Sequence, residues 1–126
     1  MKAIHTSGAP EAIAPYSQAI EHGGLLYTCG QIALDPANGK LVAGGIEAQA
    51  HQVLTNLRAV VEAGGSRMER VLKTTVYLVD MADYPKVNAI YLQYFPQGPR
   101  PARAAVAVKE LPLGALVEID CIAAVG

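Results

Sequence analysis

Two charged positions in the last quarter of the chain carry most of the chemistry that this sequence offers. Arg103 lies in Pro101-Ala102-Arg103-Ala104-Ala105-Val106-Ala107-Val108, a run of small and β-branched residues with a single guanidinium set into it. Arg is the side chain best shaped for a bidentate grip on a carboxylate, and methyl-sized neighbours leave room beside it for a small anion. The alternative is structural: an ion pair across the sheet to Glu118 or Asp120, which would not need cleared space. Glu118 and Asp120 stand two residues apart in Val117-Glu118-Ile119-Asp120, so on a strand both carboxylates share a face. A Glu beside a bound substrate can orient a water or take its proton, and a second carboxylate nearby raises its proton affinity. Otherwise one of the two balances Arg103 and the other meets water or a neighbouring subunit.

Other positions admit two readings each. Tyr16, after Pro15, is either a packed aromatic or a pocket lid. Gly30, in Thr28-Cys29-Gly30-Gln31, either opens backbone groups to a ligand or marks a bulge. Asn88 either caps a loop or lines the pocket. Several chemistries lack their residues. His5, His22 and His51 show no metal-ligand spacing, and H-E-x-x-H, Walker A, G-x-G-x-x-G and G-x-S-x-G patterns do not occur. Cys29 and Cys121 fall outside any C-x-x-C spacing and read as buried thiols of a reducing compartment.

The elements that must position these residues follow from periodicity. Residues 2–5 suit a short edge strand, and 16–21 and 25–32 are strand-like runs joined through His22-Gly23-Gly24 as a hairpin. Ile46, Ala50, Val53, Leu57 and Val60 recur at helical spacing over residues 46–63, and Gly64-Gly65 supplies the stop. Residues 71–79 are β-branched and read as a strand. A second helix begins at Asp83, tolerates Pro85 in its first turn, carries Tyr84, Val87, Tyr91 and Tyr94 as its stripe and ends before Pro96. The run 101–108 and a last strand, 116–125, complete the order ββ(β)αβαββ. Two amphipathic helices cover one face of such a sheet, which gives a two-layer α+β domain. On the last strand Val117, Ile119, Cys121, Ala123 and Val125 should lie under the helices. Leu116, Glu118, Asp120 and Ile122 are then expected on the open face, together with Arg103, Ala105 and Ala107.

At 126 residues the chain reads as a single domain, 1–126. Hydrophobic residues make up 52% and charged ones only 17%, low in charge for a small monomer, so part of the surface is expected to be covered by copies of the chain. The pocket is placed at or near that interface. A formal net charge of −1 gives no electrostatic footprint for nucleic acid or anionic membrane. With no signal-like run at the start and no apolar stretch of bilayer length, a cytoplasmic location is expected.

In its motifs the chain resembles the RidA (YjgF-type) reactive intermediate deaminase family over essentially its full length. The resemblance rests on Pro101-Ala102-Arg103 followed by Val117-Glu118-Ile119, on Ala14-Pro15-Tyr16-Ser17-Gln18-Ala19 and on Gly30-Gln31-Ile32. Asn56-Leu57, Lys73-Thr74-Thr75-Val76-Tyr77-Leu78 and Val87-Asn88-Ala89-Ile90-Tyr91 continue it in order. It implies a chorismate-mutase-like α+β fold, a mixed sheet of about six strands with two helices on one face, assembled as a homotrimer with clefts between subunits. It also implies a cofactor-independent hydrolase acting on the imine and enamine products of pyridoxal-phosphate enzymes, such as 2-aminoacrylate and 2-aminocrotonate, to give 2-keto acids and ammonia. That activity is 2-iminobutanoate/2-iminopropanoate deamination. Carried over by position, Arg103 would bind the substrate carboxylate and Glu118 would position the attacking water. Tyr16, Gly30, Ile32, Asn88 and the backbone at Ala105 would contact the substrate. Ala105 stands where many relatives have Cys, so no thiol role transfers to this position. The competing functions are a non-catalytic module that binds small carboxylates such as 2-keto acids, and a ribonuclease or translation inhibitor, which the acidic balance disfavours.

Overall fold

The computed structural model describes residues 1–126. Six strands form one mixed sheet: β1 (Lys2–Ile4), β2 (Ala19–His22), β3 (Leu25–Thr28), β4 (Val71–Leu78), β5 (Ala102–Ala107) and β6 (Val117–Ala124). Their spatial order is β1-β2-β3-β6-β4-β5, with β4 and β5 parallel and every other pair antiparallel. Two helices, α1 (Ile46–Ala63) and α2 (Tyr84–Tyr94), pack on one face of it. Helix α1 has the expected bounds. Its inward stripe is fully buried, and Gly65, at φ +85°, provides the left-handed turn that ends it. The expected inner face of the last strand is also borne out: Val117, Ile119, Cys121 and Ala123 are all buried against the helices.

The first hairpin is shorter than its β-propensity suggests. Residues 16–18 leave the ladder because Gln18, 2% exposed, works as an anchor for the chain before it. Its carboxamide accepts from the Thr6 backbone N–H at 2.7 Å and donates to the carbonyls of Thr6 and Pro10 at 3.1 and 2.8 Å. The segment between β1 and β2 is thereby held as a strap beside the sheet. At the other end, β3 parts from β6 after Tyr27, the Thr28 hydroxyl accepts from the Cys121 N–H, and pairing resumes only at a bridge between Gln31 and Ile119. The glycine at 30 therefore sits in a break of the ladder.

One expectation about the faces is overturned. Arg103 does not lie on the open face with Glu118. In the register Arg103 stands beside Thr74, and Thr74 beside Cys121, so these three side chains project toward the helices. Ala105, beside Val76, which in turn stands beside Ile119, lies on that helix side too and is half-buried against the core. Glu118 stands beside Tyr77, and Tyr77 beside Val106, on the opposite face, as do Asp120 beside Thr75 and Thr75 beside Ala104. The physical reason is that β5 is an edge strand reached by α2 but not filled in by α1. A guanidinium can lie there under aromatic rings without being sealed from water.

Candidate functional site: two half-sites on opposite faces

The first half-site is a cleft of about 180 Å³ bounded by the strap, the break after β3 and the start of β6. Tyr16, Gly30, Ile32 and Glu118 all line it, with Cys29 and Gln31 between them. Tyr16 is 46% exposed on its wall, so it is a pocket residue rather than a packed core aromatic. Helix α1 fixes the far wall. Asn56, fully buried, donates from Nδ2 to the carbonyls of Ile32 and Leu34 at 3.2 and 2.8 Å, while its Oδ1 accepts from Gln52. The loop carrying Ile32 is thus tied to a rigid element by bonds that would be costly to leave unmade in the interior.

Gly30 has a specific steric role here. A Cβ at this position would collide with the carboxylate of Glu118, so the bare backbone is what lets that side chain lie across the break. Glu118 is half-buried and has no hydrogen-bond donor or cation from its own chain. Burial, and then the like charge of Asp120, push its proton affinity above the ordinary carboxylate range. Asp120 in turn accepts a hydrogen bond from the Tyr77 hydroxyl at 3.2 Å, which fixes the neighbouring charge in place. A carboxylate whose proton affinity is raised in this way, facing a cleft, is suited to taking and returning a proton. Cys29, in the same wall, is raised by burial and receives a contact from the Gln31 side chain at 3.4 Å. Its thiolate is disfavoured, which agrees with leaving it no nucleophilic role.

The second half-site is a shallow depression beside α2 and β5, lined by Asn88, Tyr91, Leu92, Arg100, Pro101 and Arg103. The guanidinium of Arg103 is half-buried and forms no ion pair with Glu118 or Asp120 of its own chain, which removes the structural salt-bridge reading. Its Cζ lies 4.8 Å from the ring centroid of Tyr91 and 5.3 Å from that of Tyr84. Asn88, half-buried on the same helix, has a buried Oδ1 with no hydrogen-bond partner. Arg100 is committed elsewhere: it donates to the carbonyls of Phe95 and Pro96, just beyond the end of α2. Because β5 is the last strand of the sheet, one row of backbone groups around Ala105 also faces outward unpaired.

The seven candidate residues therefore fall into two sets. Tyr16, Gly30, Ile32 and Glu118 share one cleft; Arg103, Asn88 and Ala105 belong to the other side of the sheet. Sequence reasoning missed the two tyrosines that hold the guanidinium. Tyr84 and Tyr91 were legible as one stripe of a helix, seven residues apart, but nothing in that spacing distinguishes an apolar stripe from an aromatic clamp. It also missed Gln18 as the anchor of the strap, because a lone Gln in a β-prone run gives no signal of burial.

Comparison with known proteins agrees with this architecture. The family model described as "Endoribonuclease L-PSP" matches residues 6–125. A 2-iminobutanoate/2-iminopropanoate deaminase of Mus musculus is 50% identical over 125 residues, covering 99% of this chain and 92% of that protein. A RutC family protein of Synechocystis is 53% identical over 124 residues, covering 98% and 95%. Among solved structures, Escherichia coli TdcF with bound serine superposes with a TM-score of 0.94 at 35% identity, over the full length of both chains. With its two helices on a six-stranded mixed sheet and its full-length match at about half identity, this chain belongs to the YjgF/RidA family.

Proposed function

We propose that this protein hydrolyses small 2-imino acids to 2-keto acids and ammonia, in sites that each combine the Glu118 cleft of one subunit with Arg103 of another. The observation that carries the reading is the separation itself. A raised carboxyl with no cation and a guanidinium with no carboxylate stand on opposite faces of one sheet. Each lacks the partner that a 2-imino acid and a second subunit would supply. The open face bears Tyr27 and Val106, each 43% exposed, beside Ala104 and the half-buried Ile122, a surface suited to being covered by another copy. A homotrimer, one such site per interface, is the assembly proposed.

In this site Arg103 holds the substrate carboxylate by its fork. Asn88 offers its free Oδ1 to a substrate or subunit donor. The imine carbon is already electrophilic, so orientation and proton transfer suffice for the chemistry. The imine nitrogen enters protonated from solvent, and Glu118 takes a proton from water as the water oxygen bonds to C2 and the C=N π pair moves onto nitrogen. The resulting carbinolamine collapses as Glu118 delivers its proton to the amine and the C–N bond breaks with its electron pair leaving on ammonia. The hydroxyl proton returns to solvent as the C=O forms, and the keto acid and ammonia leave. No redox equivalent is required. The names of the mammalian relatives and the amino acid bound in TdcF support a small carboxylate as ligand. The test is to add the protein to a dehydratase that releases 2-aminoacrylate and to follow ammonia and keto acid. Release should accelerate in proportion to added protein. Tight binding of 2-oxobutanoate by calorimetry with no acceleration would instead favour the carboxylate-binding module.

A further inference from the structure

We infer that Tyr84 is a positioning residue for Arg103, setting through its phenolic hydroxyl which edge of the guanidinium is presented to the substrate carboxylate; this rests on the deaminase reading above. Arg103 Nη2 donates to the Tyr84 hydroxyl at 2.7 Å, and this oxygen is the one acceptor that the guanidinium finds in its own chain. The side chain is otherwise held only by ring faces, and ring faces allow a planar cation to slide and rotate in its own plane. A single short hydrogen bond at one corner removes that freedom. The N–H groups that remain are then offered in one orientation toward the depression that also contains Asn88.

The clamp is built by elements that are themselves fixed. Asp80 accepts from the Ala82 N–H at 2.9 Å and closes the turn Met81–Asp83, which delivers Tyr84 as the first residue of α2. Tyr91, two turns further along the same helix face, is anchored by a 2.7 Å bond between its hydroxyl and that of Thr74. Thr74 is the register neighbour of Arg103 on β4. The two tyrosines thus divide the work. Tyr91 uses its hydroxyl to lock its own ring to the sheet and offers only a face, while Tyr84 spends its hydroxyl on the guanidinium. This predicts different consequences for removing the two hydroxyls, although both rings touch the same cation.

The test is Tyr84→Phe, which keeps the ring and removes the oxygen. For a positioning role, KM for the imine rises about five- to tenfold with kcat little changed, because one hydrogen bond to a charged group is lost before the chemical step. The thermal midpoint stays that of the wild type. A second readout is independent of turnover: in protein with 15N-labelled arginine, the two Nη signals of Arg103 are resolved by hindered rotation about Nε–Cζ, and they coalesce in Tyr84→Phe. Unchanged KM and unchanged Nη signals, with Arg103→Ala inactive, would overturn the positioning role and leave the deaminase reading standing. A fall in kcat accompanied by a lowered thermal midpoint would also overturn it, in favour of simple packing. Wild-type turnover by Arg103→Ala would overturn the deaminase reading and the positioning role together.

Discussion

Arg103→Ala is expected to lower kcat/KM for imine hydrolysis about 10²- to 10³-fold, the usual cost of truncating one partner of a desolvated, hydrogen-bonded charge pair. The loss should appear without unfolding. Arg103 is half-buried at the sheet edge, makes no ion pair within its chain and has a single hydrogen bond, to Tyr84. Arg103→Lys is the sharper form of the experiment. An ammonium keeps the charge but cannot form two parallel bonds to a carboxylate, and its compact, strongly hydrated head does not stack between Tyr84 and Tyr91 as a planar guanidinium does. Lysine should therefore recover only a small part of the lost rate. Steady-state kinetics on imine generated in the assay decide the matter: a lysine variant within about threefold of wild-type kcat/KM would mean that charge alone is read at this position.

The second large effect concerns the proton. Glu118→Gln is expected to lower kcat by about 10²- to 10⁴-fold, the range associated with removing a positioned acid–base group. The pH dependence gives the more specific check. Burial and Asp120 raise the Glu118 carboxyl, and the base form is the active one, so the acid limb of the rate profile should lie above the ordinary carboxylate range. Asp120→Asn removes the like charge while keeping an oxygen for the Tyr77 hydroxyl, and should move that limb to lower pH. Any effect of a neighbouring subunit's guanidinium is common to both proteins and drops out of the difference. Stability moves the opposite way from activity. A carboxyl raised on folding contributes stability that is present below the unfolded value and is lost as pH rises through the raised one. Glu118→Gln should therefore be at least as stable as the wild type at neutral pH, which separates lost chemistry from lost fold.

How far the sequence could be read depended on what each signal encodes. Helical period and a terminal Gly-Gly fixed the bounds of α1, because both the stripe and its stop are local properties. Alternation correctly divided β6 into a buried and an open set, since one of the sets is purely apolar. The same alternation grouped Arg103 with Ala105 but could not say which side of the sheet that group faces. That depends on register with β4, a non-local property, and the charge of Arg103 suggested the wrong side. What compensates the charge is a pair of tyrosines on α2, and a tyrosine stripe looks the same in sequence whether it packs against leucine or grips a guanidinium. The overlong first hairpin has a related cause. β-propensity extends through Tyr16 and through Ile32, whereas the burial of Gln18 and the passage of Glu118 across Gly30 divert the chain at both ends. The resemblance named the candidate residues; their division between two faces was not legible from it.

That division is the central claim, and mixing subunits tests it most directly. Arg103→Ala and Glu118→Gln proteins, each inactive alone, are unfolded together at equal concentration and refolded so that subunits exchange at random. If every site takes Arg103 from one subunit and Glu118 from another, about one site in four receives both intact residues, and about a quarter of wild-type activity returns. If both residues served the same site from one chain, every site would still lack one of them. In that case the mixture would stay as inactive as its two components.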